Sequence, residues 1–346
     1  MSNQLEVDSM DMQPRRNEQQ KIYARLRELS KSLNCDWLNY NYLTESKLET
    51  KNYRVISSLL GDLIPNFDFW NELDKLCHTG GKKIWFVTDN LIDQDRHSFK
   101  NIRILSFPQL LGMAARDNRE NDISFSAPSR LYNCFMQRCE FVRQSWFYFL
   151  LLEGLLDKGY VSYLLYQLDD YSKLTGVDLF DFIHYNKGLD QLQKFQGAHQ
   201  ALRSRVPYRN FKENFDLITY INDSKYSIIL ETYAVDDDRY QWCFTEKALR
   251  SLQSNTINLF FAQKYSIKCL ENLGLEIDPI NQQWDGDEWV IRQRKILEIL
   301  KNDDVPFDVE SQKSRCSHNR SLLQSWKTEY QRSDFFNSLI EEIESS

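Results

Sequence analysis

Residues 226–250 read YSIILETYAVDDDRYQWCFTEKALR, and this stretch decides the fold. YSIIL is a short apolar run with the length and composition of a strand, and Glu231 stands at its end. A loop carrying Asp236, Asp237 and Asp238 follows, and Phe244-Thr245-Glu246-Lys247 then opens a helix. Thr245 suits the capping position, where its hydroxyl accepts a hydrogen bond from a first-turn amide. A lysine in the first turn is poorly placed for the helix dipole alone, so Lys247 points to an anion nearby.

Reading outward, residues 257–261 form a second apolar strand and residues 266–273 a second helix, so this part of the chain alternates strand and helix. That series predicts right-handed crossovers and a parallel sheet. Upstream, residues 131–136 read as a strand and 139–154 as a helix with Phe141, Trp146, Phe149 and Leu152 on its apolar side. Residues 174–184, 198–205 and 211–221 are expected to be helical or amphipathic. The first half has the same rhythm: a helix over 17–33 with Ile22, Leu26 and Leu29 on one stripe, a helix over 67–76 broken by Gly80-Gly81, and the strand KIWFV at 83–87. A strand at 102–107 and a helix over 109–116 follow. The loop 117–128, rich in Asp, Asn, Ser and Pro, marks a domain boundary. The expected organisation is a disordered tail (1–16), an α/β domain (17–120), a second α/β domain (121–310) and a helical extension (311–346), with a terminal amphipathic helix over 336–344.

A chain of 346 residues exceeds one ordinary core, which stops growing at roughly 250 residues. Its 42% hydrophobic and 27% charged residues describe a globular protein, and the net charge of −7 excludes binding to nucleic acid through an overall positive field. Seven cysteines without a CxxC pair suggest neither a disulfide framework nor a zinc site, and Cys134 and Cys139, the nearest pair, have no histidine beside them. His78, His97, His184 and His199 also stand apart from any ligand cluster. The first twenty residues lack the apolar core of a signal peptide, and the longest apolar run (146–152) is far below the ~20 residues of a membrane span, so a cytoplasmic location is expected. No GxGxxG, GxSxG, HExxH or Walker sequence is present.

Glu231, the loop and the FTEK helix start resemble the donor-binding half of GT-B glycosyltransferases, above all α-1,3-fucosyltransferases, with their Glu-bearing strand end and TEK-type helix start. Arg143 is similar in placement to the arginine with which those enzymes grip the donor phosphates. The block LYNCFMQRCEFVRQSWFYFLLLEGLLDKGYVSY (131–163) also resembles glycosyltransferase-like proteins of phage and bacteria. The resemblance covers roughly residues 128–300. It implies two Rossmann-like α/β domains facing across a cleft, with the nucleotide sugar bound by the C-terminal one and the acceptor by the N-terminal one. It further implies that Glu231 contacts the donor's ribose or sugar, Glu246 the nucleotide, and Lys247 with Arg143 the diphosphate, while Tyr233 and Phe244 wall the pocket. The acidic loop and the lack of an Asn-rich context after Glu231 depart from the fucosyltransferase pattern and leave donor sugar and base open.

The implied activity is inverting, metal-independent transfer of a sugar to an acceptor hydroxyl, with no cofactor beyond the nucleotide-sugar substrate. Asp236-Asp237-Asp238 has the letters of a metal-binding DxD motif but lies just before TEK, and we read it as a solvated loop. The base expected from the N-terminal domain is Asp89, at the end of KIWFV, with Asp62 next. Two alternatives stay open: a non-catalytic or virion-associated module with the same fold, and transfer to a modified DNA base. The second needs a basic groove, for which Lys82, Lys83, Arg96 and Lys100 are the visible cluster.

Overall fold

The computed structural model describes residues 31, 36–39, 53–58, 67–80, 84–88, 91–92, 99–106, 125–136, 141–163, 208–211, 217–231, 241–242, 244–332, 337 and 341. Nearly all of the helix expected at 17–33, those at 109–116, 174–184 and 198–205, and most of that at 336–344 lie outside the described residues. In chain order the elements are β1 (Asp36–Asn39), β2 (Tyr53–Ser58), α1 (Phe67–Gly80), β3 (Ile84–Thr88), β4 (Leu91–Ile92), β5 (Ile102–Ser106), β6 (Arg130–Met136), α2 (Phe141–Leu152) and β7 (Gly159–Tyr163). They continue with β8 (Tyr208–Arg209), α3 (Leu217–Asn222), β9 (Ser224–Leu230), β10 (Gln241–Trp242), α4 (Glu246–Leu252), β11 (Ile257–Phe261), α5 (Ser266–Asn272), α6 (Trp289–Asn302) and α7 (Val309–Arg332). They fall into two compact units, one of residues 1–118, 237–244 and 323–346, the other of 119–236 and 245–322.

In the first unit β1, β2, β3 and β5 form a parallel sheet in that order, and β4 pairs antiparallel with β10. Trp70, Leu73 and Cys77 recur at helical spacing on α1 and are buried with Ile84, Phe86, Ile102 and Ile104. The Trp70 ring meets Phe86 edge-on at 4.5 Å.

The second unit has a five-stranded sheet in the order β11-β9-β6-β7-β8, parallel except for β8. β11 is buried at every position and β9 at all but Lys225, which is why both read as continuous apolar runs rather than alternating ones. Trp146 of α2 packs edge-on against Phe261 at 5.3 Å, and Phe147 stacks on Tyr163 at 4.8 Å. Gly159 has no alternative, since a Cβ there would lie 2.5 Å from the Tyr132 carbonyl oxygen.

Side chains complete the backbone hydrogen bonding on the outer side of β11 and beside β7 where β8 does not extend. On the outer side of β11, Asn258 N–H donates to Asp278 (2.8 Å) and Phe260 N–H to Asn281 (2.8 Å). The carbonyls of the same residues accept from Asn281 Nδ2 (2.7 Å) and Trp284 Nε1 (3.0 Å). Asp278 in turn accepts from Gln312 of α7 at 2.9 Å, and Arg315 donates to the Thr256 carbonyl at 2.6 Å. Along β7, Asn210 accepts from Val161 N–H at 2.8 Å and donates to the Leu156 and Gly159 carbonyls. At the amino ends of the strands, Asp223 accepts from the Ser129 amide (3.0 Å), the Ser129 hydroxyl (2.6 Å) and the Tyr160 hydroxyl (2.6 Å), which joins the starts of β6, β7 and β9.

Asn281→Ala removes partners from a buried N–H and two buried carbonyls, and unsatisfied groups of that kind cost about 1–3 kcal/mol each, so a loss of about 3 kcal/mol or more is expected. Urea unfolding of the variant measures it. Burial pushes the Asp223 carboxyl up, but the bonds from Ser129 and Tyr160 and the charge of Arg130 outweigh it and hold the group below the usual range. A depressed carboxylate contributes stability above its unfolded pKa of about 3.9 and loses it as pH falls through the folded value. Acid unfolding followed by circular dichroism should therefore be less steep below about pH 4 in Asp223→Asn than in the wild type.

Candidate functional site

From β6 the chain moves to β7 on one side and later returns to place β9 on the other side of β6. At such a reversal the two outgoing connections separate and leave a crevice outside the carboxyl ends of the strands, where open parallel sheets bind ligands. Met136 ends β6 and Leu230 ends β9. The next helices, α2 and α4, therefore begin at this end of the sheet, with Arg143 in the first turn of α2 and Glu246 and Lys247 in the first turn of α4.

Glu231, the residue after β9, is 2% exposed. Its amide donates to the Phe261 carbonyl at 3.1 Å, continuing the ladder to β11. One carboxylate oxygen accepts from Thr245 N–H at 3.1 Å and the other from the Thr245 hydroxyl at 2.7 Å. Burial pushes the Glu231 carboxyl up, against the lowering influence of Lys247 and the two Thr245 bonds. Thr245 has extended backbone and caps α4, its hydroxyl oxygen accepting from Lys247 N–H at 3.4 Å, as the sequence leads one to expect. Lys247 Nζ donates to the same oxygen at 3.2 Å and to Glu246 Oε1 at 3.2 Å. A lysine in a first helical turn thus stands beside two carboxylates of its own chain.

Arg143 is buried, and its charge opposes the upward shift that burial imposes on the Cys134 thiol of β6. Phe244 is buried as well. A cavity beneath α3 and α4 has Glu246, Lys247 and Arg250 among its lining and reaches Asn133, Ser227 and Ser251. There the Ser227 hydroxyl donates to Asn133 at 3.0 Å and lies 2.8 Å from the Ser251 hydroxyl. Sequence reasoning passed over Asn133 and Ser227, although a polar letter inside an apolar strand was the available signal. It also passed over Tyr265, which follows β11 with φ 62°, is 43% exposed and donates its N–H to the Asp285 carbonyl at 2.8 Å. Tyr233, Asp62, Asp89, Asp236, Asp237 and Asp238 lie outside the described residues, as do Lys82, Lys83, Arg96, His97, Cys139, His184 and His199. Among the described residues no group of three or more His, Cys, Asp or Glu is placed to hold a metal ion, and no helix is long and apolar enough to cross a membrane.

No protein-family model matches the chain, and no curated protein matches it. Solved structures do. The chain is similar to an alpha,alpha-trehalose-phosphate synthase (UDP-forming) from Burkholderia vietnamiensis, with 10% identity, 94% of this chain and 80% of that one covered, and a TM-score of 0.43. It is also similar to the trehalose-6-phosphate synthase OtsA, with 12% identity, 92% and 76% covered, and a TM-score of 0.41.

Thr245→Val keeps the shape of the side chain but removes the hydroxyl that serves both Glu231 and the first turn of α4. A loss of about 1–3 kcal/mol is expected, the range for a cap combined with a stranded buried acceptor. Thr245→Ser should stay close to the wild type, and thermal unfolding of the pair measures the difference.

Proposed function

We propose that the chain is a GT-B-like glycosyltransferase that moves a sugar from a nucleotide-sugar donor to an acceptor hydroxyl, inverting and independent of metal. The observation that carries this reading is that the helices following β6 and β9, the adjacent strands at the point where the parallel sheet of the second unit reverses its order, both begin after the carboxyl ends of those strands. A nucleotide diphosphate needs positive charge and unpaired N–H groups at one place, and the chain begins two helices there with Arg143 and Lys247 in their first turns. The resemblance of Glu231 and FTEK to the fucosyltransferase donor site supports the same assignment.

In this reading Lys247 and Arg143 stabilise the charge that develops on the departing diphosphate of an oxocarbenium-like transition state. Glu246, 3.2 Å from Lys247 Nζ, is assigned to the nucleotide while holding the lysine. Residues 17–120 supply the acceptor side, with Asp89 as the base that takes the acceptor proton.

A thermal-shift panel of UDP, GDP, ADP and CDP tests the donor site, because a ligand at about 100 times its dissociation constant adds roughly 2.7 kcal/mol of stability. Sugar transfer or donor hydrolysis by the purified protein then separates an enzyme from a binding module. Lys247→Ala should lower kcat/KM by the equivalent of about 2–4 kcal/mol, as the removal of a charge-stabilising donor does elsewhere. A flat panel, or wild-type turnover in that variant, would overturn the assignment.

A further inference from the structure

We infer that Glu231 is a positioning residue that acts through Thr245 to hold the ammonium of Lys247, and is not itself a contact for the ligand. The inference rests on the donor-site reading for its functional meaning, but its geometry stands apart from it. Both Glu231 oxygens accept, one from the Thr245 amide and one from the Thr245 hydroxyl, so each oxygen already has a partner inside the protein. Little of the side chain is left to meet a ligand, since the residue is 2% exposed.

A hydroxyl has one proton and two lone pairs. The Thr245 proton goes to Glu231 at 2.7 Å, so its lone pairs face the Lys247 amide at 3.4 Å and the Lys247 ammonium at 3.2 Å. Glu231 therefore sets the polarity of the hydroxyl. Without an acceptor at that position the Thr245 proton is free to rotate toward Lys247, and the ammonium loses one of its two oxygen partners, the other being Glu246. Glu231→Gln would bring this about with almost no change of volume, because the amide group facing the hydroxyl donates to it and occupies a lone pair that Lys247 uses.

Two measurements on the full chain test the inference. The first is the rate at which an amine-acylating reagent modifies Lys247, read by peptide mass spectrometry with Lys225 and Lys264 as internal controls. Glu231→Gln and Thr245→Val should each raise the Lys247 rate roughly fivefold, the factor that one net hydrogen bond is worth, and Thr245→Ser should restore it, with the controls unchanged. An unchanged Lys247 rate, or an equal rise at all three lysines, would overturn the inference, the second outcome marking a general loosening of the fold. The second measurement is a double-mutant cycle on binding of the nucleoside diphosphate that gives the largest thermal shift, or of inorganic diphosphate if none responds. Glu231→Gln should weaken binding roughly tenfold in the wild-type background and less than about twofold once Lys247 is alanine, because contacts in one network do not add. Equal losses in both backgrounds would mean that Glu231 touches the ligand, which overturns the positioning role and leaves the donor site in place. A changed labelling rate without any diphosphate binding would uphold the positioning role and remove the donor-site reading instead.

Discussion

A buried carboxylate must be met by groups that are themselves fixed, and Glu231 imposes this demand at the end of a central strand. Thr245 meets it with both its amide and its hydroxyl, so the first turn of α4 is tied to the end of β9 and cannot drift along the sheet. The Glu231 amide is anchored in turn to β11. Strand end, helix start and neighbouring strand therefore form one unit, and the cationic side chain of that helix start takes its position from it.

Polar side chains carry much of the second unit's architecture. Asp223 gathers the amino ends of three strands, Asn210 pairs β7 where β8 does not extend, and Asp278 with Asn281 closes the margin at β11. Asn210, Asp278 and Asn281 meet backbone groups that a further strand would otherwise have paired. Such groups stabilise only when all their partners are present, which makes them more sensitive to substitution than apolar residues of similar size.

The strand-helix-strand-helix series from β9 to α5 was legible in the sequence because its strands are buried on both faces and show as mainly apolar runs between polar turns. The cap at Thr245 was legible for the same local reason. Helix α7 (Val309–Arg332) falls almost wholly within the helical extension expected over 311–346, but which of its sides packs was not legible, since the side it turns inward carries Gln312, Arg315, Cys316 and Asn319 and the apolar stripe that announces a packed helix is missing there. Strand β7 is five residues long and begins at a glycine, which hid it behind the breaker that ends α2. At the site, the letters showed that Glu231 closes a strand but not which way its carboxylate turns. That direction depends on Thr245, fourteen positions away, and is a property of the fold.

The side-chain ladder on β11 also governs how this protein can meet others. A strand at the margin of a sheet ordinarily offers N–H and C=O groups on which a strand from another chain can dock, the route to edge-to-edge association and fibre growth. Here those of Asn258 and Phe260 are already engaged, by residues buried in the same unit. An incoming strand would have to displace Asp278, Asn281 and Trp284 and break the bonds to α7 before making its first contact. At Asn258 and Phe260 this margin is therefore closed to β-augmentation.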